Sequence, residues 1–183
     1  MLNVPNAITL LRFALIAPLV LQLVQREYST ALVLFVISAL SDLADGLVAR
    51  RWNLHTRFGA IADPIADKLT LLTVTLVLAL QDRLPWWFAL AVVMRDVVIV
   101  SGAIAYHALI GRVEIAPSAL SKLNTALEFL LLASVLAIGA GRLDAGLWWH
   151  LLLLTTLVSV VWSGVHYVLV WSRKAAQARR TPR

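Results

Sequence analysis

The stretch DLADGLVARRWNLHTRFGAIADPIAD, residues 42–67, sets four carboxylates inside a chain that otherwise reads as lipid-soluble. Asp42 and Asp45 are three apart and Asp63 and Asp67 four apart, spacings that stack each pair on one face of a helix. Between the pairs stand Gly46, Ala49, Arg50 and Gly59, so the stretch reads D-x2-D-G-x2-A-R-x8-G-x3-D-x3-D. Acids clustered in a membrane need a counter-charge, and a divalent cation supplies it most simply.

Outward from this stretch the chain is apolar. Its 183 residues are 61% hydrophobic and only 14% charged, with mean hydropathy +0.84, far from the balance of a soluble domain. A spanning helix needs roughly 20 apolar residues, and six such stretches occur at about 7–25, 30–50, 60–81, 86–107, 118–140 and 147–171. The expected fold is therefore all-α, a polytopic membrane protein of six transmembrane helices. One membrane domain over residues 1–172 leaves 173–183 as a basic tail. The N-terminus lacks a basic n-region and a small-residue cleavage site, so its first apolar stretch reads as a retained span.

Charge between the spans gives an orientation. Arg26, Arg83 and Arg142, on one side, each have an acid nearby (Glu27, Asp82, Asp144). Arg12, Arg50, Arg51, Arg57, Arg112, Lys122 and the five-cation tail crowd the other. The positive-inside rule puts both termini in the cytoplasm, a parity that six spans satisfy. Trp86-Trp87 and Trp148-Trp149 then open two spans at the outer interface as anchors. The net charge of +6 falls largely in the tail, where it reads as topology signal and contact with anionic headgroups, not as a nucleic-acid surface. Asp42 and Asp45 come to lie roughly 8–12 Å from the cytoplasmic end of the second span, and Asp63 and Asp67 at comparable depth on the third.

The chemistry follows from the donors. The chain has no cysteine, so a metal here is held by oxygen or imidazole. Oxygen-only ligands select hard ions, Mg2+ or Mn2+, and four acids exceed what one magnesium recruits, which makes two ions the expectation. Two metals suit an in-line displacement at phosphorus, with Arg50 adding fixed positive charge for a diphosphate. Three other readings compete: aspartates that only pair with Arg50, Arg57 and Lys68 to hold helices together, a transporter relaying ions through its acids, and a scaffold without catalysis. The first does not require the full spacing, and no internal repeat or paired broken helix supports the second.

The complete pattern from Asp42 to Asp67 resembles the signature of the CDP-alcohol phosphatidyltransferase family. The opening Asn3-Val4-Pro5-Asn6-x2-Thr9-x2-Arg12 is similar to the start of the family's phosphatidylglycerophosphate and CMP-forming cardiolipin synthases. The resemblance implies a dimeric six-helix enzyme of the inner membrane that faces the cytoplasm and displaces CMP from CDP-diacylglycerol with an alcohol. It implies that Asp42, Asp45, Asp63 and Asp67 hold the metals and that Asp67 is the general base. Gly46, Ala49, Arg50 and Gly59 would line the cytidine diphosphate pocket, with Asn6 and Thr9 reaching it from the first helix. Arg95-Asp96-Val97-Val98 and Pro117-Ser118-x2-Ser121-Lys122-x-Asn124-Thr125 look more like the cardiolipin type. Phosphatidylglycerol is accordingly the favoured acceptor and glycerol 3-phosphate the alternative, with Arg95, Arg112 and Lys122 as acceptor-binding candidates.

Three residues buried near mid-span remain, Arg95, Asp96 and Glu128; Arg95 and Glu128 fall at similar depth, which allows a structural pair or an acceptor-site role. Gly102, among Ser101, Ala103 and Ala105, is expected to mark a helix-packing or dimer contact.

Overall fold

The computed structural model describes the backbone of residues 4–52, 59–109 and 119–180, and side chains over 14–41, 66–102, 104–105 and 120–172. Six helices follow one another: α1 (Val4–Val24), α2 (Tyr28–Trp52), α3 (Gly59–Leu80), α4 (Trp86–Leu109), α5 (Ala119–Gly139) and α6 (Leu147–Arg180). No strand occurs among the described residues. Each expected apolar stretch has become one helix, with ends displaced by about three residues or fewer except in α6, an offset of little weight at a helix end. Among the described residues two helices contain segments long and apolar enough to cross a membrane, Leu120–Gly139 and Leu147–Ser172, and two shorter apolar segments are Ala14–Val24 and Tyr28–Ser41.

The last helix departs from expectation. Apolar composition ends the final span near residue 171, yet α6 runs on through Arg180, into the basic tail. Ala175, Ala176, Gln177 and Ala178 explain this, being strong helix formers that need no apolar face.

The chain divides into two compact units. The first comprises Met1–Leu84 with Leu132–Ala145, and the second Pro85–Leu131 with Gly146–Arg183, so α5 contributes a part to each. In the first unit α1 packs against both α2 and α3 around Leu19, Leu23, Phe35, Val74 and Leu78, which are almost fully buried. In the second α4 packs against α6, with Phe88, Val92 and Val160 buried.

The turns α1–α2, α3–α4 and α5–α6 are capped alike. Arg26, Asp82 and Gly141 adopt positive φ (62°, 57° and 67°), and the amide after each donates to a carbonyl five residues back: Glu27 to Gln22, Arg83 to Leu78, Arg142 to Ala137. This is the Schellman closure, which satisfies carbonyls that the helix end would leave unpaired. Only one of the three uses glycine, although side chains make the left-handed region costly.

A polar clasp ties these ends in the first unit. Tyr28 Oη donates to Gln81 Oε1 at 2.9 Å, Gln81 Nε2 donates to the Leu23 carbonyl at 2.6 Å, and Arg83 Nε donates to Tyr28 Oη at 3.3 Å. The Arg83 guanidinium also lies 5.1 Å from the Tyr28 ring centroid. Gly139 makes room for that ring: a Cβ there would meet Tyr28 Cγ at 2.8 Å. The ring is buried and its hydroxyl held at two points, so it cannot swing aside without breaking the clasp. Gly139→Ala is therefore expected to lower thermal stability, at a cost of about 1–3 kcal/mol from overpacking. An unchanged unfolding midpoint in detergent would show that the ring yields freely.

Candidate active site

The clasp supplies a common level from which the three helices of the first unit can be measured. Leu23, Tyr28 and Gln81 are joined by hydrogen bonds, so they lie at one height. Thr9 precedes Leu23 by 14 residues, Asp42 follows Tyr28 by 14 and Asp67 precedes Gln81 by 14. At 1.5 Å per residue all three come to about 21 Å from the clasp. Asn6 and Asp45, each 17 residues away, and Asp63, 18 away, form a second layer. That layer lies about 4–6 Å farther on. α1 and α3 end at the clasp and α2 begins there, and α1 packs on both the others, so the three helices run away from it together. Six residues distant in sequence thus share two adjacent layers at one end of the unit.

Local sequence explains why the layers can be functional. Gly46 and Ala49 keep α2 slender just beyond its acids, and Gly59 opens α3 one turn before Asp63. Asp67 is partly buried beside Ala66, which is fully buried. Thr70, one turn farther into α3, returns its hydroxyl to the Ala66 carbonyl at 2.9 Å and so closes that face without an outside partner.

The side chains of Asn6, Thr9, Asp42, Asp45, Gly46, Ala49, Arg50, Gly59 and Asp63 lie outside the described side chains, and Arg112 outside the described residues altogether. Among the described residues no group of three or more acids and histidines could hold a metal, and three of the four motif aspartates fall outside that set. The donor set itself fits a hard divalent ion: all oxygen, four carboxylates, two layers.

The second unit has its own polar node. Arg95 is 8% exposed; its Nη1 pairs with Asp96 Oδ1 at 2.6 Å, and its Nη2 donates to Ser121 Oγ at 3.2 Å and Ser163 Oγ at 3.1 Å. Arg95 pairs with the adjacent Asp96, while Ser121 and Ser163 bring α5 and α6 to the same guanidinium. Arg95 Nε has no hydrogen-bond partner among the described residues. Lys122, beside Ser121, is exposed, and Asn124 and Glu128 are buried one and two turns on. Ser163 is the residue that sequence reasoning missed. Its only signal is a hydroxyl followed by Gly164 in a strongly apolar span.

Gly102, expected at a packing or dimer contact, packs within the chain. A Cβ there would meet Trp171 Cδ1 at 3.1 Å, so the glycine seats the Trp171 indole of α6 against α4.

Comparison with known proteins bears on the same chemistry. The sequence profile of the CDP-alcohol phosphatidyltransferase family matches residues 2–173. The chain is 38% identical over 96 residues to a protein of Mycobacterium tuberculosis named "Putative cardiolipin synthase", covering 52% of this chain and 46% of that one. The match therefore spans about half the length of that relative. It is 36% identical over 141 residues to the CDP-diacylglycerol--glycerol-3-phosphate 3-phosphatidyltransferase of Escherichia coli, covering 73% of this chain and 76% of that protein. The two names specify different acceptors.

Proposed function

The chain belongs to the CDP-alcohol phosphatidyltransferase family, and from that premise we propose that it transfers a phosphatidyl group from CDP-diacylglycerol to a glycerol-type hydroxyl, releasing CMP. The observation that supports this reading is the register of α2 and α3: counted from the clasp, Asp42 and Asp67 fall at one height, with Asp45 and Asp63 one layer farther on. The acceptor oxygen attacks the phosphorus that bears diacylglycerol, and the bond from that phosphorus to CMP breaks. Asp67 takes the hydroxyl proton, and Arg50 balances charge on the leaving phosphate. Two divalent ions, when bound by Asp42, Asp45, Asp63 and Asp67, would offset the negative charge of the diphosphate as the bond breaks. Asn6 and Thr9 in those layers, with Gly46, Ala49 and Gly59 just beyond them, hold the cytidine diphosphate.

All six helices cross the inner membrane in this reading, with both termini and the site on the cytoplasmic side, as the asymmetry of basic residues requires. The protein works as a homodimer. Phosphatidylglycerol is the favoured acceptor, with its phosphate met by Arg112 and Lys122 and by Arg95 from within. Glycerol 3-phosphate is the second reading, favoured by the relative that shares the longer match.

Purified protein given CDP-diacylglycerol and, separately, phosphatidylglycerol, glycerol 3-phosphate, inositol phosphate or serine tests both halves of the proposal. Cardiolipin as product supports the favoured acceptor, and phosphatidylglycerophosphate moves the assignment to the second. Activity is expected to vanish in EDTA and to return with excess Mg2+ or Mn2+. No product with any alcohol, together with uptake of a labelled ion into proteoliposomes, would sink the enzyme reading in favour of a transporter.

A further inference from the structure

A groove runs between α4 and α6 in the second unit, with a volume of about 410 Å³. Its walls are aliphatic, from Met94 and Val98 on α4 and Val161, Val165, Val168 and Leu169 on α6. Gly164 keeps its floor low: a Cβ there would already touch Arg95 Cγ at 3.7 Å, so the methylenes of the arginine line the bottom. The α6 wall belongs to the segment Leu147–Ser172, which is long and apolar enough to cross a membrane. From Val160 to Leu169 it rises about 14 Å, close to the roughly 15 Å of hydrocarbon in one leaflet.

Past the groove, α6 turns cationic. Beyond Ser172 come Arg173, Lys174, Arg179 and Arg180 within eight residues of continuous helix, and no acid occurs after Asp144. Arg173 lies four positions after Leu169 and Arg179 eleven after Val168, so both continue the helical rows that line the groove.

We propose that the groove and the cationic turn together bind one anionic glycerophospholipid of the surrounding leaflet. An acyl chain lies in the groove over Gly164 and the Arg95 stem, and the phosphate lies at Arg173 and Arg179. A chain-length trough that leads to cations matches the two halves of such a lipid, whereas a second apolar helix would fill the trough and leave the cations without an anion. The trough lies wholly in the second unit; it shares the Arg95 stem with the acceptor reading above, but the phosphate it binds sits at Arg173 and Arg179.

Native mass spectrometry of the full chain in nonionic detergent tests it, with dioleoylphosphatidate as the probe because it has no free hydroxyl for the proposed reaction. The wild type is expected to retain one phosphatidate and to bind dioleoylphosphatidylcholine more weakly. Val165→Trp and Met94→Trp, which fill the groove from exposed positions on different helices, are each expected to lose the adduct. Val100→Trp, exposed on the opposite face of α4, is expected to keep it. Arg173→Gln with Arg179→Gln should weaken phosphatidate binding by about tenfold or more and leave phosphatidylcholine unchanged. Both groove variants are checked for a wild-type unfolding midpoint, and either one alone suffices should the other fail to fold. Retention by a folded groove variant, equal loss in Val100→Trp, or equal binding of the two lipids by the wild type overturns the proposal. Loss of a dimer instead of a lipid in the groove variants would assign the trough to a second copy of the chain and overturn it too.

Discussion

Asp67→Asn is expected to abolish CMP release while leaving the helices intact. The amide is isosteric with the acid and occupies a partly buried position, so local packing is preserved. What disappears is the ability to accept a proton and much of the ability to neutralise a divalent ion. Removing a positioned general base alone lowers a rate by about 10²–10⁴. Loss of a carboxylate ligand adds to this, and the sum places Asp67→Asn below detection in an ordinary CMP assay. Asp63→Ala, in the farther layer, separates the two roles. As a ligand only, it should raise the metal concentration needed for activity, whereas Asp67→Asn should stay inactive at any metal concentration. The measurements are CMP released per minute across a Mg2+ or Mn2+ titration, with helicity and unfolding midpoint recorded for each variant. Activity of Asp67→Asn within tenfold of wild type would remove this residue from the mechanism, and metal-independent activity of Asp63→Ala would remove the metals.

The helices and the motif were legible in the sequence because each depends on short-range order. Six apolar stretches of spanning length became six helices, and aspartates three and four apart needed only helical periodicity to be paired. The clasp that levels those aspartates was not legible, since Tyr28 and Gln81 meet across a separation of 53 positions and Gln81 and Leu23 across 58. Once the clasp is known, the equal counts from Leu23, Tyr28 and Gln81 to Thr9, Asp42 and Asp67 become meaningful. The Schellman turns at Arg26 and Asp82 carry no glycine, so the residue that usually announces such a turn is missing. Gly102 suggested a contact between small residues, and the structure puts an indole there. Hydroxyls in apolar helices were equally uninformative. Thr155, Thr156 and Ser172 return theirs to carbonyls of their own helix, while Ser163 turns its own to an arginine 68 residues away.

That arginine carries the second large effect. Arg95→Leu is expected to destabilise the second unit by about 3–5 kcal/mol, because it removes one member of a largely buried ion pair. The Arg95 side chain is 7% exposed and that of Asp96 20%, so water replaces little of what is lost. Ser121 and Ser163 lose their donor in the same step, and with it the link from α4 to both α5 and α6. Ser163→Ala, which breaks only one neutral-acceptor bond to the guanidinium, should cost about 1–3 kcal/mol. Arg95→Leu with Asp96→Leu should recover much of the loss, since two apolar side chains leave no charge to solvate. Unfolding midpoints in a single detergent rank the variants, and wild type, Ser163→Ala, the double variant and Arg95→Leu are expected to fall in descending stability with Arg95→Leu last. The same variants decide what the arginine is for. Should Arg95→Leu keep the wild-type midpoint and instead raise the acceptor KM alone, the guanidinium serves the acceptor and the three-helix node is incidental. Should stability fall while acceptor KM in the surviving folded fraction holds, the acceptor phosphate belongs to Lys122 and Arg112, whose replacement by Gln would then raise that KM without moving the midpoint.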